Sequence, residues 1–371
     1  MTPIHALLGE SRIVAGGMAI GRLRFDRQRH IETLVAAIDH GVAAIDCAPL
    51  YDFGECERRV GEALRRRRST NVRVFSKVGL RWRDTYGKPM FTGTDITGEP
   101  VTVRYDCRPR AVRQDVEDSL GRLGVERIDL VHVHALDRTT PIAETMGALD
   151  ELRQEGKVGA IGLSTDFGPR EIRAAHRALG ATPLASLLVT YNPLERSCER
   201  EVLPLARAHA IGTLAHTCLA RGALTGKFGA RARDELAEGD LRRVDPLYHP
   251  DNLAKVVDAL HGVVVPIARS HGMSLSQVML AWALQHGDLD GVVVGASRPE
   301  QARQNAEAGR LSLGVDERTA IARAFAPLRI DSAPGATVWE RIERRARRVP
   351  GGIQRRWRRL VDELRPAARG A

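Results

Sequence analysis

The feature that most constrains this chain is a regular alternation. Short, almost wholly apolar runs are separated by stretches whose apolar residues recur every three or four positions. Runs of the first kind lie near residues 12–18 (RIVAGGM), 43–48 (AAIDCA), 73–79 (RVFSKVG) and 128–134 (IDLVHVH). Four more lie near 158–164 (VGAIGLS), 185–191 (ASLLVTY), 212–219 (GTLAHTCL) and 291–297 (GVVVGAS). Between them, sets such as Ile31, Leu34, Val35 and Ile38, or Leu275, Val278, Met279 and Trp282, fall on one face of a helix. A strand that is apolar on both faces must be covered on both, and alternating helices do this by sheathing a parallel sheet. Eight such units within about 330 residues predict an α/β fold, a (β/α)8 TIM barrel, with an open doubly wound sheet as the alternative.

Two connections are out of scale. Leu80 to Arg108, after the third strand, and Ala220 to Asp251, after the seventh, far exceed the usual few residues. At the C-terminal face of a barrel, loops of that length are expected to form a lid or a binding wall. Residues 1–330 read as the barrel domain and 331–371 as an arginine-rich C-terminal extension. In the extension, Trp339, Ile342, Ala346 and Val349, and then Ile353, Trp357, Leu360, Val361 and Leu364, mark two amphipathic helices.

The formal charge of +10 is mostly local to that extension, where residues 332–371 hold eleven arginines against four carboxylates. The rest of the chain is nearly neutral, so the extension is expected to dock on the barrel, cover the pocket or mediate contacts, ahead of binding nucleic acid or anionic lipid. No apolar run reaches the 18 residues of a membrane span. Met1 to Arg12 lacks the apolar core of a secretory signal, and five scattered cysteines include no CxxC pair. These features predict a cytoplasmic protein with reduced, packing cysteines.

Catalytic groups on a barrel come from the C-terminal ends of different strands. Asp46 ends the second strand, Lys77 the third and His134 the fourth, while Tyr51 follows the second strand in the loop before the Cys56–Leu64 helix. A phenol with a pKa near 10 is a weak acid at neutral pH. A neighbouring ammonium, Lys77, favours the phenolate, and Asp46 would keep Lys77 charged and in place. His134 could donate a hydrogen bond to a carbonyl. The four together suit general acid/base chemistry at a C=O group that receives hydride.

The strings that carry these residues resemble the aldo-keto reductases, (β/α)8 enzymes that use NADP(H) or NAD(H) with a Tyr/Lys/Asp/His tetrad. "IDCAPLYDFGECERRVGEAL" resembles their DTAPxYGxGxSExxLGxAL signature, "FSKVG" the strand carrying the lysine, and "RLGVERIDLVHVH" the strand ending in the histidine, which falls on His134. The resemblance implies that Tyr51 protonates the developing alkoxide. It further implies that Ser164, in "GKVGAIGLS", holds the nicotinamide carboxamide. In "LAHTCLARGALTGK", His216 takes the place of the ring that stacks on nicotinamide, and Thr217, Leu219 and Lys227 line the diphosphate. "GASRPEQARQN" resembles the adenosine-phosphate segment, giving Gly295, Ser297, Arg298, Gln301, Gln304 and Asn305. Arg298, at the start of the last barrel helix, favours NADP(H), with NAD(H) as the alternative, since Gly295 stands where other branches often carry lysine.

The chain departs from the family pattern at Thr165 (Asn), Leu188 (Gln), Cys56 (Ser) and Cys218 (Pro), so two contacts to the carboxamide are expected to be lost. Tyr105 to Arg138 also resembles the branch that oxidises aldoses or pyridoxal. "GGMAIG" has the wrong spacing for a dinucleotide fingerprint, and "GALTGKF" lacks the spacing and hydroxyl of a phosphate loop. The His132/His134 pair could suggest a zinc hydrolase, but the fifth and eighth strands end in GLS and GAS, without further ligands. No metal is expected, and His132 reads as a core residue. The competing functions are an aldose-type dehydrogenase and a regulatory barrel that binds cofactor with little catalysis, as the potassium-channel β-subunit members of the family suggest. Trp82, Tyr86, Phe91 and Tyr105 in the first long loop suggest a wall for a small carbonyl or hydroxylated substrate.

Overall fold

A computed structural model of the chain describes residues 2–331 except 20–25, 68–70, 84, 96, 166, 230–231 and 237–239. The two helices expected in the basic extension lie outside the described residues. The described strands are β1 (Ile13–Gly16), β2 (Ala44–Asp46), β3 (Arg73–Val78), β4 (Leu80–Arg81), β5 (Lys88–Thr94) and β6 (Pro100–Tyr105). They continue with β7 (Ile128–Val133), β8 (Val158–Leu163), β9 (Leu184–Thr190), β10 (Gly212–His216) and β11 (Gly291–Gly295). Eight of them close a barrel in the order β1-β11-β10-β9-β8-β7-β3-β2. Each matches one of the apolar runs to within three residues at either end. Because β1 pairs in parallel with both β2 and β11, the sheet has no open edge, and the doubly wound alternative is excluded.

Alternation along each strand builds two cores. Val14, Ala44, Phe75, Leu130, Leu188, Leu214 and Val293, one from each of seven strands, point inward and form a single buried cluster. Their strand neighbours, such as Ile13, Ile45, Val74, Val131, Leu187 and Val292, pack outward against the helices. The inner cluster is sealed at the N-terminal end of the barrel by a helix at Pro3–Leu8, whose Ile4 and Leu8 are buried in it. This plug fits because β10 begins with a glycine. A Cβ on Gly212 would lie 2.2 Å from Ile4 Cγ2 and 2.9 Å from the Ala185 carbonyl oxygen.

At the opposite end, the long connection after β3 is a small antiparallel sheet of order β4-β6-β5, where the sequence reading expected a loop. It is pinned to the barrel. Arg81 bonds the Ala111 carbonyl and Asp115 at 2.8 and 2.5 Å, and Arg108 forks onto Asp106 while stacking on the Tyr86 ring. Leu80, Val103 and Ala135 form a minor core there, with Leu50, Phe53, Trp82 and Tyr105 packed against it. The connection therefore forms a braced wall beside the mouth. The connection after β10 consists of short 3-10 turns and a short helix, Ala232–Glu235, leading to a helix at Pro250–Ala259. Among the described residues, no helix is long and apolar enough to cross a membrane.

Candidate active site

Strand ends at the C-terminal face bring the expected residues together. Asp46 ends β2, and Lys77, next to last in β3, lies in register with His132 of β7. Lys77 Nζ donates to Asp46 Oδ2 at 2.6 Å and to the Cys47 carbonyl oxygen at 3.0 Å, and both side chains of the ion pair are buried. The same ammonium lies 4.9 Å from the centroid of the Tyr51 ring. The Tyr51 and His134 rings meet edge to face at 5.8 Å and 87°. His134 directly follows β7, its backbone N–H donating to the Val78 carbonyl at 2.9 Å.

Tyr51 is aimed by a strained turn. Asp52 and Phe53 follow it with φ of 48° and 52°, a left-handed pair of non-glycine residues, before the helix Glu55–Arg67 begins. Such strain persists only where the surroundings over-determine it, and it concentrates at functional sites. Cys56, which stands where the family pattern has serine, is buried and donates its thiol to the Gly17 carbonyl at 3.1 Å. Phe53 meets Trp82 edge to face at 5.5 Å, so one side of the mouth is aromatic. Trp82 was legible in the sequence as part of this wall, but Phe53 was missed.

Electrostatics in the cluster follow burial and the ion pair. Burial alone would lower the Lys77 pKa, but Asp46, and the phenol beside it, outweigh that and raise it. Burial pushes the Asp46 carboxyl up while Lys77 pulls it down, and its second oxygen, Oδ1, has no hydrogen-bond partner among the described residues. For Tyr51 the expectation of a lowered pKa is corrected. Burial raises the phenol to about 12, and Lys77 offsets only part of that rise. Burial and Lys77 hold His134 well below its ordinary value, so it is neutral at physiological pH.

The residues expected to hold a dinucleotide fall along one rim. Ser164 is buried just past β8, its N–H bonded to the Val133 carbonyl. His216 ends β10 with Thr217 Oγ1 at 2.8 Å from Nδ1, and with Thr165 Oγ1 and Thr190 Oγ1 at 2.7 and 3.2 Å from Nε2. Beyond it, Thr217, Ala220, Arg221, Gly222 and Gly226 all have positive φ, and the Leu219 carbonyl accepts from Gly222 and Leu224 within this strained loop. Lys227 lies exposed at its end. On the adjacent strand β11, Gly295 pairs with Gly16 of β1, and a Cβ there would meet only the Gly16 carbonyl oxygen, at 3.8 Å. Arg298 is the exposed N-cap of the helix Pro299–Glu307.

Gln301 accepts from Ser297 N and Oγ at 2.9 and 2.8 Å, Asn305 donates to the Gly295 carbonyl, and Gln304 donates to Glu300. These three side chains already brace the loop and helix they sit on. The donor set suits an elongated anionic ligand: hydroxyls around His216, the exposed Lys227, and the exposed Arg298 at a helix N-terminus. Thr190 was missed in the sequence, because its approach to His216 depends on the curvature of the barrel.

The zinc-hydrolase reading finds no support in the geometry. His132 Nε2 lies 3.3 Å from Ser186 Oγ, its ring fills the space over Gly162, and its Nδ1 has no partner among the described residues. Among those residues no group of three or more His, Cys, Asp or Glu is placed to hold a metal ion. Leu188 is buried in the inner core beside Leu214, so the polar contact expected of that position is absent.

Residues 12–324 match the model of the aldo/keto reductase family. The chain is 32% identical over 316 residues to the aldo-keto reductase YhdN of Bacillus subtilis, covering 84% of this chain and 88% of that one. It is also 32% identical over 320 residues to the NADH-specific methylglyoxal reductase of Escherichia coli, covering 83% and 93%. Among solved structures, the glycerol dehydrogenase AKR11B4 of Gluconobacter oxydans superposes with a TM-score of 0.74 at 33% identity, covering 88% of this chain and 95% of that one.

Proposed function

This chain belongs to the aldo/keto reductase family of oxidoreductases, and on that footing we propose that it interconverts a small aldehyde or ketone and its alcohol by hydride transfer, with Tyr51 as the proton donor. One observation carries the reading: a buried ammonium, Lys77, is held by Asp46 at 2.6 Å directly beside the Tyr51 ring, with His134 across from it. Three strands and a strained turn converge to build this cluster. A purely structural ion pair would not need a phenol beside it.

When bound, a nicotinamide dinucleotide supplies or accepts the hydride at the carbonyl carbon. The chain's own groups manage the proton. Tyr51, protonated at all physiological pH, gives its proton to the carbonyl oxygen as negative charge develops there. The phenolate that results is stabilised by Lys77, and Asp46 keeps that ammonium charged and fixed. Neutral His134 has one N–H to donate to the same oxygen and so orients the carbonyl. In the alcohol-oxidising direction the Tyr51 phenolate takes the proton back.

Ser164, His216, Thr217, Leu219, Lys227 and the Gly295–Asn305 segment would hold the dinucleotide. Arg298, exposed at a helix N-terminus, offers a 2′-phosphate a cation at the positive end of the helix dipole, which favours NADP(H). The alternative, NAD(H), draws on Glu300 in the first turn of the same helix and on the E. coli relative named as NADH-specific. Phe53 and Trp82 wall the substrate side with aromatic edges. The named substrates of two relatives, methylglyoxal and glycerol, fit the expectation of small hydroxylated or carbonyl compounds and leave open which direction dominates. The test is turnover of NADPH, NADH, NADP⁺ and NAD⁺ against aldehydes, ketones, polyols and aldoses. Binding of dinucleotide without turnover on any of them would favour a regulatory barrel.

A further inference from the structure

His216 is held at both ring nitrogens by hydroxyls from three separate places: Thr217 after β10, Thr190 at the end of β9 and Thr165 just past β8. A neutral imidazole carries one N–H and one lone pair, whereas a hydroxyl can donate or accept. Threonines at both nitrogens therefore satisfy either tautomer and oppose rotation of the ring. Thr217 keeps its place at a cost, since its φ of 58° is rare for a β-branched residue. Its carbonyl is fixed by Asn192 Nδ2 at 3.1 Å and by the Ala220 N–H at 2.8 Å. Burial first, with help from Lys77 and Arg221, lowers the His216 pKa to about 4, so the ring is neutral and within electrostatic reach of the tetrad.

Of two departures of this sequence, one is a member of this cluster and the other lies two residues before Thr190 on β9. Thr165 replaces an asparagine and Leu188 a glutamine, and neither side chain is available to a carboxamide: Leu188 is buried in the inner core and Thr165 is bonded to His216. The hydroxyl of Thr165 is directed at the ring. A phenyl ring in that place would be oriented by packing alone, whereas an imidazole can be locked by hydrogen bonds.

We infer that Thr165, Thr190 and Thr217 are positioning residues that fix the plane of His216, and that through this ring they set how tightly the nicotinamide end of a dinucleotide is held. The second half of this inference rests on the reading that the barrel mouth binds such a dinucleotide. Thr165, exposed and outside every strand, is the member that can be changed with least disturbance.

Two measurements on the full chain test it. In ¹⁵N spectra of histidine-labelled protein without dinucleotide, with His216 assigned by its loss in His216→Phe, Thr165→Val is expected to shift the His216 nitrogens and Thr165→Ser to restore them. In titrations with NADPH, NADH and the fragment 2′,5′-ADP, Thr165→Val is expected to weaken the dinucleotide that wild type binds about three- to tenfold, the scale of one lost hydrogen bond. The fragment, which lacks nicotinamide, should bind unchanged, and Thr165→Ser should recover the loss. Unchanged His216 nitrogens in Thr165→Val would overturn the clamp. Equal weakening of fragment and dinucleotide, or no weakening, would overturn its role in binding. If wild type binds neither dinucleotide, the nicotinamide half falls together with the proposed function, and the spectra alone decide the clamp.

Discussion

Lys77 Nζ sits 2.6 Å from Asp46 Oδ2 and 4.9 Å from the centroid of the Tyr51 ring, so one buried ammonium serves both a carboxylate and a phenol. Removing one partner of a buried pair strands the other's charge, which typically costs about 3–5 kcal/mol. Lys77→Met is therefore expected to lose stability on that scale and to lose turnover, since the phenolate would form without a cation beside it. Adding Asp46→Asn removes the stranded carboxylate. The double variant is expected to regain much of the stability, measured by urea unfolding, and none of the turnover. Turnover that returned along with stability would make the pair purely structural.

The plug at the N-terminal end makes a packing prediction. Gly212→Ala places a methyl 2.2 Å from Ile4 Cγ2 and is expected to destabilise the protein by about 1–3 kcal/mol through overpacking. Ile4→Ala opens a hole in the inner core and is expected to cost about 2–5 kcal/mol. Because the two side chains would contend for one space, the double variant should be more stable than the sum of the single losses. Strict additivity in denaturant unfolding would show that the helix does not sit against Gly212.

Arg298→Ala is expected to weaken NADPH about tenfold or more while changing NADH little, since only the former carries a 2′-phosphate for the guanidinium to pair with. Isothermal titration with each dinucleotide checks this. Equal losses for both would remove Arg298 from phosphate recognition and favour NAD(H).

Two buried histidines set an acid limit on stability. Burial and Arg59 lower His30 to about 4, and burial and Lys77 lower His132 to about 3. Each folded-state pKa lies below the unfolded value near 6.5, so the unfolded chain binds the extra proton. The stability that depends on their neutral forms is complete above about pH 6.5. It falls by about 1.4 kcal/mol per pH unit for each histidine as the pH drops towards those folded values. His30→Gln and His132→Gln should each flatten the decline between pH 6 and about 4.5, as read from unfolding midpoints. Wild-type slopes in both variants would contradict the assignment.

The barrel was legible because its strands are apolar on both faces and its helices on one, a difference in period that the order of the apolar residues carries. The clustering of Asp46, Tyr51, Lys77 and His134 was legible because each of the four lies at or just past the end of a strand whose flanking string is distinctive. The small sheet β4-β6-β5 was not. Most of β5, Lys88–Thr94, is exposed, so no face of it imposes an apolar alternation on the sequence. The plug helix was missed because its burial rests on Ile4 and Leu8, too few residues to show a period. The direction of the Tyr51 shift depended on how much water the fold removes, a quantity absent from any list of neighbouring charges. Thr165, Thr190 and Thr217 converge on His216 only because three strand ends curve towards one point.

The most direct measurement is single-turnover reduction of a carbonyl substrate accepted by the wild type, followed by the absorbance of bound reduced nicotinamide, in Tyr51→Phe against wild type. Phenylalanine keeps the ring beside Lys77 and removes the hydroxyl that carries the proton to be donated. The account predicts an intact fold, unchanged dinucleotide affinity and a rate about 10²–10⁴ lower, the usual worth of a general acid. Reduction at the wild-type rate would contradict it.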